Sequence, residues 1–574
     1  MTKRGYFIIN GIPRIIINQV IRKPGVYFQE SKSKIIKSNE INFERNLYVD
    51  LISQRGNWLR LEMDKRQKIW AKIKNSPKIP VLLLLQTIGI NKKTITQIIL
   101  NNSIFSQPFF KIQNTKFIRV LFNLEKSKTK TKTKKTILKT RKKLIINKFL
   151  NPRSYYLGEI GRQQINQKLG VSIPNNQTTL TPYDILFIVD TLIQVLKNKK
   201  NFDDIDHLQN RRIRTSGELI QNQLSIGLAR LEKRLNEKIK KEKGVLRFRN
   251  IFTPRALNSV FKEFFGSNPL SQFLDQANPL SELTHKRRLT SVGPGGVSRD
   301  TAGMDIRGIH PTHYGRICPI ETPEGQNAGL VNSLTTFSQI DLNGSILTPF
   351  FIIYKGQVQR QLGVQNLDAA ISDKYAITLN LPKTSALNFL PNLPLTAQIE
   401  QTFKKTYRKS IKYGIVSCLQ LISIATSLIP FLEHDDGNRA LMGSNMQRQA
   451  IPLLHSERPI VGTGFENRVL FHSGNFVQSK KSGLILYSSH VKIIILSIFE
   501  KNLTTNNFNF YTKPQNLIQI KNNDFLFRKV NFGFLKLEKV LFSTFFIQKQ
   551  KRIVHQHLLR TENRSEERRV GKEC

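Results

Sequence analysis

The chain has 574 residues, with 90 Lys or Arg against 40 Asp or Glu, and its formal net charge is +50. So large an excess would strain a compact chain by self-repulsion unless a polyanion or an acidic subunit offsets it, which predicts a nucleic-acid partner. The three cysteines exclude a disulfide framework or a four-cysteine zinc site, and the apolar run at Val81 is about half of the roughly 20 residues that a membrane span needs.

The composition leaves one alternative open for the charge. An AT-rich coding genome would also enrich Lys, Asn and Ile, although it would not account for the arginine clusters. The 39% hydrophobic content is adequate for roughly three to five folded domains. Few cysteines favour a reducing compartment.

The N-terminal segment predicts an α+β protein. Residues Gly5 to Gln29 alternate like two short strands, with a turn at Asn10-Gly11 and a second turn signal at Lys23-Pro-Gly. No targeting pattern precedes them. The low-complexity segment 126–148 is rich in Lys and has neither a helical nor a strand period, so we expect a solvated loop, inserted into the surrounding domain.

Three helices follow in the predicted order. Thr181-Pro182 with Asp184 has the composition of a helix N-terminus, and an apolar stripe continues to Leu196. Glu218 to Lys241 carries an apolar stripe of its own, which favours a core-facing helix over a dedicated binding helix. Thr253-Pro254 begins a third helix, which Gly266 ends.

Four glycines occur in the loop from Gly293 to Gly303, so its backbone can approach a ligand closely and can move. A mobile basic loop suits a nucleic-acid fork. An ordinary glycine-rich surface loop is an equally good interpretation of the composition alone.

Three acidic or histidine-rich runs resemble metal sites without the ligand spacing of one. They are His310-Pro-Thr-His313 with Cys318, Asp203-Asp-Ile-Asp-His207, and Glu433-His-Asp-Asp436. The first lacks a fourth ligand, so structural or phosphate-contacting histidines are favoured. For the other two runs we expect acids at helix N-termini.

A helix near Asn438 would place Arg439 on the same face as Met442 and Met446. Arg448 would lie about 180° around a straight helix, so both arginines can face one site only if the helix ends or bends near Gly443-Ser444. A forked guanidinium suits phosphate oxygens. The alternative is that both arginines pair with Asp435, Asp436 or Glu466.

Several blocks of the chain carry a family resemblance. They are Gly5-Tyr-Phe-Ile-Ile-Asn-Gly, Arg55-Gly-Asn-Trp, Tyr156-Leu-Gly-Glu-Ile-Gly-Arg, Asp203-Asp-Ile-Asp-His-Leu-Gln-Asn-Arg-Arg, Gly217-Glu-Leu-Ile-Gln-Asn-Gln, residues 278–329 and residues 431–450. Together they resemble the beta subunit of bacterial-type, multisubunit DNA-dependent RNA polymerase. The similarity runs in register from about residue 5 to about residue 470.

The resemblance implies a multidomain α+β architecture in a defined order. The implied domains are the first part of the protrusion (1–45), the lobe with its Lys-rich insertion (46–200, insertion 126–148), the return to the protrusion (201–268), the fork and RNA-channel region (269–340), the external region (341–425) and the start of the hybrid-binding domain (426–545). A divergent tail, 546–574, resembles vector read-through from about residue 564.

The resemblance also implies roles for individual side chains. The wall beside the nascent RNA, which forms the rifamycin pocket, would include Gln272, Phe273, Asp275, His285, Arg288 and Thr290, the last replacing a serine usual in bacteria. Arg299 would belong to the fork loop. Pro323, Glu324 and Asn327 would line the RNA–DNA hybrid, although Gln326 replaces a common proline. Arg439 would reach the phosphates of the incoming nucleotide, and Arg448 with Gln449 would lie near the RNA 3′ end.

No Asp-x-Asp-x-Asp cluster occurs that could hold catalytic Mg²⁺. The resemblance implies that the beta-prime subunit holds it, so this chain would contribute positioning and electrostatics within the polymerase. The family's later lysine-bearing blocks are absent, as in the N-terminal section of a divided beta subunit of green-algal plastids. A plastid location follows, with bacterial cytoplasm as the alternative.

The implied macromolecular partners are the DNA template, the RNA transcript, the remaining C-terminal part of beta, beta-prime, the alpha dimer and a sigma-type factor. The implied substrates are ribonucleoside triphosphates, and no membrane contact is implied. The alternative function is a nonenzymatic nucleic-acid-binding fragment or relic.

Overall fold

The computed structural model describes residues 1–2, 4–37, 40–64, 68–73, 78–90, 148–152, 154–196, 201–241, 254–379, 385, 387–451, 453–454, 457, 459–474, 484–488 and 493–496. These residues form a multidomain α+β protein, as predicted. The insertion 126–148, apart from its last residue, and the tail 546–574 lie outside the described residues. None of the described helices is long and apolar enough to cross a membrane.

The secondary structure alternates between short strands and helices. The strands are β1 (Phe7–Ile9), β2 (Ile12–Ile16), β3 (Asn18–Arg22), β4 (Gly25–Lys37), β5 (Glu40–Ile52), β6 (Leu59–Met63), β7 (Ile69–Ile73), β8 (Ile79–Pro80), β9 (Arg211–Arg214), β10 (Ser271–Phe273), β11 (Arg288–Thr290), β12 (Val331–Ser333), β13 (Gln339–Ile340), β14 (Ile346–Tyr354), β15 (Gln357–Val358), β16 (Val364–Leu367), β17 (Ile377–Thr378), β18 (Leu395–Ile399), β19 (Thr402–Thr406), β20 (Tyr413–Ile415), β21 (Leu484–Ser488) and β22 (Ile493–Leu496). The α-helices are α1 (Val81–Ile88), α2 (Gly158–Leu169), α3 (Pro182–Leu196), α4 (Ser216–Lys241), α5 (Arg255–Ser267), α6 (Pro279–Lys286), α7 (Met304–Arg307), α8 (Ala369–Ser372), α9 (Gly437–Gln447) and α10 (Glu466–Ser473).

The N-terminal strands are completed by segments that come much later in the chain. The turn at Asn10-Gly11 joins β1 to β2, as predicted, and β10 adds to the other edge of β2. In a second sheet, of order β12-β11-β3-β9, β3 runs parallel to β11 and antiparallel to β9. The segment that contains β10 and β11 is therefore anchored on the N-terminal strands.

A five-stranded sheet, β4-β5-β6-β7-β8, packs with α1, α2 and α3 around the largest apolar core. Alternate residues of β6 and β7 are buried, because one face of the sheet meets the helices. The predicted bounds of α3 are confirmed. Its first turn has reciprocal bonds, in which Thr181 N–H donates to the Asp184 carboxylate at 2.7 Å and Asp184 N–H donates to Thr181 Oγ1 at 3.2 Å.

The β4–β5 hairpin crosses residue 45, where the sequence suggested a boundary between protrusion and lobe. Val26 on β4 and Val49 on β5 are both fully buried in the core of the five-stranded sheet. Residues 25–37 are therefore paired into the sheet that follows them. The remaining domain boundaries stay predictions.

An eight-stranded sheet follows β12 in the sequence and includes β13–β20. Its longest strand, β14, pairs with β13, β15, β16 and β20. Two apolar clusters cover it, one around Ile353 and Ile411 and the other around Phe350 and Ile415. This sheet lies between β12 and α9 in the sequence.

The prediction that the helix from Glu218 to Lys241 faces the core is wrong over its central turns. At its start Leu219 is buried, and Gly227 lies against Leu257 of α5. Leu224 and Leu228, on the predicted stripe, are 38% and 52% exposed. The face that meets α5 is offset from the predicted stripe, because the buried residue at this level is Gly227 and not its neighbour Leu228. The third predicted helix is confirmed within one residue at each end.

Candidate nucleic-acid interface

The helix α6 forms a buried wall between the N-terminal strands and α10. Asn278 is its N-cap and accepts a hydrogen bond from Ser281 N–H at 2.7 Å, while Ser281 Oγ accepts from Asn278 N–H at 3.2 Å. Pro279 occupies the first helical position, where its missing N–H costs nothing. Leu280 and Leu283 pack against Phe465 and its apolar neighbours near α10. Both its local capping hydrogen bonds and its tertiary packing therefore stabilise α6.

Three of the predicted RNA-channel residues meet at the side chain of His285. Its Nδ1 accepts a hydrogen bond from Asp275 N–H at 3.1 Å, and its Nε2 lies 3.3 Å from Gln272 Oε1. Burial and the nearby charge of Arg288 lower the pKa of His285 to about 4. A neutral imidazole suits these contacts because an unprotonated Nδ1 can accept while Nε2–H donates.

Phe273, at the end of β10, and Thr290, at the end of β11, differ in exposure. The Phe273 ring is 58% exposed, and the Arg14 guanidinium lies 4.2 Å from its centre. Thr290 is buried at the end of β11, where its hydroxyl accepts a hydrogen bond from Val292 N–H at 3.2 Å. Phe273 is thus available to a ligand, whereas Thr290 is buried and stabilises the turn after β11.

A cluster of arginines surrounds the buried side chain of Glu321, which is 2% exposed. The Arg448 Nε lies 3.9 Å from Glu321 Oε1. Burial and the positive charge of Arg448 lower the pKa of Arg288. The negative charges of Glu321 and Asp275 act in the opposite direction. Among the described residues, neither carboxylate oxygen of Glu321 accepts a hydrogen bond. Its negative charge is therefore the main contribution of this side chain to the cluster.

The helix α9 holds Arg439 and Arg448 at opposite ends. Asp436 caps its N-terminus by accepting from Asn438 N–H at 3.2 Å, as expected for an acid before a helix. The helix neither ends nor bends at Gly443-Ser444 but continues to Gln447, and Arg448 is its C-cap. The two arginines are therefore not brought to one point.

Arg439 and Arg448 also differ in their surroundings. Arg439 is exposed in the first turn and makes no hydrogen bond or ion pair in the described part of the chain. Arg448 has a side chain that is 14% exposed and pairs with Glu321. The alternative that both arginines pair with Asp435, Asp436 or Glu466 is wrong, and Gln449 beside Arg448 is exposed.

The turn after Glu321 holds the predicted hybrid-lining residues. Pro323, Glu324 and Asn327 lie around a short 3₁₀ helix, Gly325–Asn327, and Glu324 is exposed. Arg307 stabilises the turn by donating hydrogen bonds to the carbonyls of Gln326 at 2.8 Å and Ala328 at 2.9 Å. The same guanidinium donates to the Arg299 carbonyl at 3.2 Å. Arg307 therefore joins the predicted fork loop to the predicted hybrid-lining turn.

The glycine-rich loop is fastened at its N-terminal end. Gln19 donates to the carbonyls of Val292 and Pro294 at 3.2 Å each, and Arg214 donates to the Pro294 carbonyl at 2.8 Å. A Cβ at Gly296 would lie 2.3 Å from the Ser291 carbonyl oxygen, so a side chain does not fit there. Arg299, beyond this clamp, is exposed.

The histidine and aspartate runs serve as structural pairs. His310 Nε2 lies 2.7 Å from Asp204 Oδ2, and His207 pairs with Asp373 at 2.5 Å. Burial lowers the pKa of His313 to about 3. The expectation that the acids of 203–206 precede a helix is wrong, since Asp203 pairs with Lys168 instead. Across the described residues, no group of three His, Cys, Asp or Glu side chains can hold a metal ion.

Asn278 and Glu321 are the site residues that sequence reasoning missed. The pattern Asn278-Pro-Leu-Ser could have indicated the N-cap of α6. Nothing local indicates what the Asn278 amide contacts or that Glu321 lies beneath Arg448, because both relationships join segments distant in sequence.

Comparison with known proteins identifies the class. A family model described as RNA polymerase Rpb2, domain 2, matches residues 22–214, and one described as RNA polymerase Rpb2, domain 3, matches residues 272–340. The mixed sheets of the structure accord with a multidomain protein built from Rpb2-type domains. The site at α6, β11 and the turn after Glu321 falls in the second match.

The particular family follows from whole-chain relatives. The chain is 42% identical to "DNA-directed RNA polymerase subunit beta N-terminal section" of Chlamydomonas reinhardtii, over 87% of this chain and 73% of the relative. The protein of the same description from Stigeoclonium helveticum is 42% identical, over 86% and 84%. The chain therefore belongs to the DNA-directed RNA polymerase beta subunit family. It spans 40% of the "DNA-directed RNA polymerase subunit beta" of Oltmannsiellopsis viridis, at 46% identity.

Proposed function

We propose that the chain acts as the N-terminal section of the beta subunit in a plastid DNA-directed RNA polymerase. In this role it contributes side chains to the RNA channel, the fork and the nucleotide phosphates and is inactive alone. The observation that carries the proposal is the arrangement of Arg288 and Arg448 beside α6, with Arg439 exposed on the helix that ends at Arg448.

The individual roles follow from charge and exposure. Arg439 is free to form charge-assisted hydrogen bonds with the phosphates of an incoming ribonucleoside triphosphate. Arg448 and Gln449, at the other end of α9, contact RNA near its 3′ end. Gln272, Phe273, Asp275, His285, Arg288 and Thr290 form the wall beside the transcript, Arg299 lies at the fork, and Pro323, Glu324 and Asn327 line the RNA–DNA hybrid.

The catalytic Mg²⁺ of nucleotidyl transfer needs carboxylate ligands. The described residues of this chain do not offer a fitting group. We propose that the beta-prime subunit holds the metal. The residues of this chain then act by binding and orienting the nucleotide, RNA and DNA.

The proposed assembly contains the remaining C-terminal part of beta, beta-prime, an alpha dimer and a sigma-type factor. The template DNA and the transcript offset the net charge of +50. The plastid location is supported by the algal relatives whose printed description is that of an N-terminal section.

The test is Arg439→Ala in a polymerase reconstituted with all of its sections. We expect the KM for nucleoside triphosphate to rise about 10- to 100-fold, as for loss of a charged hydrogen bond worth roughly 1.5–3 kcal/mol. Arg360→Ala, which removes an exposed arginine from the eight-stranded sheet region, is the matched control and should leave the KM unchanged.

An unchanged KM for Arg439→Ala would refute the nucleotide assignment. If, in addition, the chain bound any nucleic acid with a steep salt dependence but supported no RNA synthesis in the assembly, the alternative of a nonenzymatic nucleic-acid-binding fragment would be favoured.

A further inference from the structure

Asn278 connects the N-terminus of α6 to the C-terminus of α9. Its Oδ1 accepts from Ser281 N–H at 2.7 Å, which caps α6. Its Nδ2 shares two hydrogens among three carbonyl oxygens, those of Gln447 at 3.2 Å, Arg448 at 3.2 Å and Ala450 at 3.0 Å. Asn278 is 4% exposed, and its three contacts are partly buried.

The last carbonyls of a helix lack intrahelical partners and need donors from elsewhere. Asn278 supplies such donors on both sides of Arg448 and thereby sets the direction in which the backbone leaves α9. Gln447 and Arg448 are half-buried and Ala450 is exposed, so loss of this amide would remove donors from partly shielded carbonyls and weaken the backbone path at residues 447–450.

The Arg448 side chain is held in the same place by a second asparagine. Asn445 Oδ1 accepts a hydrogen bond from the Arg448 guanidinium, while Asn445 Nδ2 donates to the Thr322 carbonyl at 3.3 Å. The guanidinium thus lies between Asn445 and Glu321, and its backbone is held by Asn278. Backbone and side chain are anchored to different segments.

We infer that Asn278 is a positioning residue for Arg448, fastening the end of α9 to the RNA-channel wall so that Arg448 and Gln449 are presented to RNA. The inference rests on the proposed function of Arg448. It adds that Asn278 couples the position of α6 to that of Arg448 and Gln449 at the end of α9, although Asn278 need not contact RNA itself.

Serine at position 278 separates the two hydrogen-bonding roles. A serine hydroxyl caps a helix about as well as asparagine, so Asn278→Ser keeps the acceptor for α6 and lacks the amide donor for α9. Asn278→Asp also keeps the acceptor but turns a carboxylate towards the three carbonyls. Asn268→Ser is the matched control, because within the described residues Asn268 Oδ1 accepts one hydrogen bond, from nearby Leu270 N–H at 2.9 Å.

The experiment measures extension of a short RNA primer on a template by the fully reconstituted polymerase. We expect Asn278→Ser to raise the half-saturating primer concentration by roughly two- to tenfold, the range for one neutral hydrogen bond, with kcat changed by less than about twofold. Asn278→Asp should have a larger effect, and Asn268→Ser none. In an Arg448→Ala background, Asn278→Ser should add less than about twofold, because the two residues act in series.

Each other outcome decides against the inference in a distinguishable way. Weakened primer use by Arg448→Ala with normal use by Asn278→Ser would overturn the inference and leave the proposed function standing. Normal primer use by Arg448→Ala would remove the RNA assignment itself. Additive effects would show that Asn278 does not act through Arg448. Failure of both Asn278 variants to assemble, while Asn268→Ser assembles, would assign Asn278 to folding alone.

Discussion

The guanidinium of Arg448 lies 3.9 Å from the carboxylate of Glu321, a side chain that is 2% exposed. Arg287 and Arg288 also experience the charge of this carboxylate, which opposes the lowering of their pKa values by burial. A buried anion among cations reduces their mutual repulsion and allows the arginines to remain close together.

Glu321→Gln is expected to destabilise the free chain by about 1–3 kcal/mol, because the arginines then repel one another without compensation. The loss should shrink when an RNA oligonucleotide is bound or when salt is raised. Thermal unfolding with and without RNA measures both effects. Glu433→Gln, which neutralises an exposed carboxylate before α9, is the control and should change stability by less than about 0.5 kcal/mol. An equal loss with and without RNA would contradict the electrostatic explanation.

The buried imidazole of His285 predicts a pH dependence of stability. Its pKa is lowered to about 4 in the folded chain and returns to about 6.5 on unfolding. Between these values the unfolded state binds more protons, so the contribution is complete above about pH 6.5 and is lost as pH falls towards 4. His313, with a pKa of about 3, acts in the same direction.

Replacing His285 by Asn should remove that dependence, because Asn keeps an acceptor for Asp275 N–H and does not titrate. Between about pH 7 and pH 4 the wild type should lose up to about 3 kcal/mol more than His285→Asn. Unfolding by denaturant across this pH range makes the comparison. Parallel pH profiles for the two proteins would show that folding does not lower the pKa of His285.

Arg162 on α2 and Asp184 on α3 form a fully buried ion pair, with 2.8 Å between Nη1 and Oδ1 and no exposure of either side chain. Arg162 also donates to the Gln177 carbonyl at 2.8 Å. Arg162→Met would leave Asp184 buried without its cation and should cost about 3–5 kcal/mol. Hydrogen exchange at α2 and α3 would report the local loss.

The matched control for this pair is Arg230→Met. Arg230 lies 3.4 Å from Glu263, but the two side chains are 49% and 64% exposed. Solvent screening makes such a pair worth at most about 1 kcal/mol. If Arg162→Met and Arg230→Met lowered the free energy of unfolding by similar amounts, the burial of the Arg162–Asp184 pair would not increase the cost of breaking it.

Local chemistry determined the elements that the sequence predicted correctly. Thr181, Pro182 and Asp184 start α3 because their hydrogen bonds and fixed backbone angle act within one turn. Asn10-Gly11 makes a turn because both residues tolerate a positive φ, observed as 52° and 80°. The α+β class and the family resemblance could also be predicted from the order of residues alone.

Tertiary structure alone decided which of these elements meet. The stripe of α4 has the correct helical period, yet Leu228 is exposed because the face that packs on α5 runs through its neighbour Gly227. The placement of β11 beside β3, of Glu321 beneath Arg448 and of Asn278 against Ala450 joins segments far apart in the chain. Periodicity and capping report interactions over a few residues. Burial and long-range hydrogen bonds depend on the packing of the whole chain, so the wall and its arginine cluster emerged only with the fold.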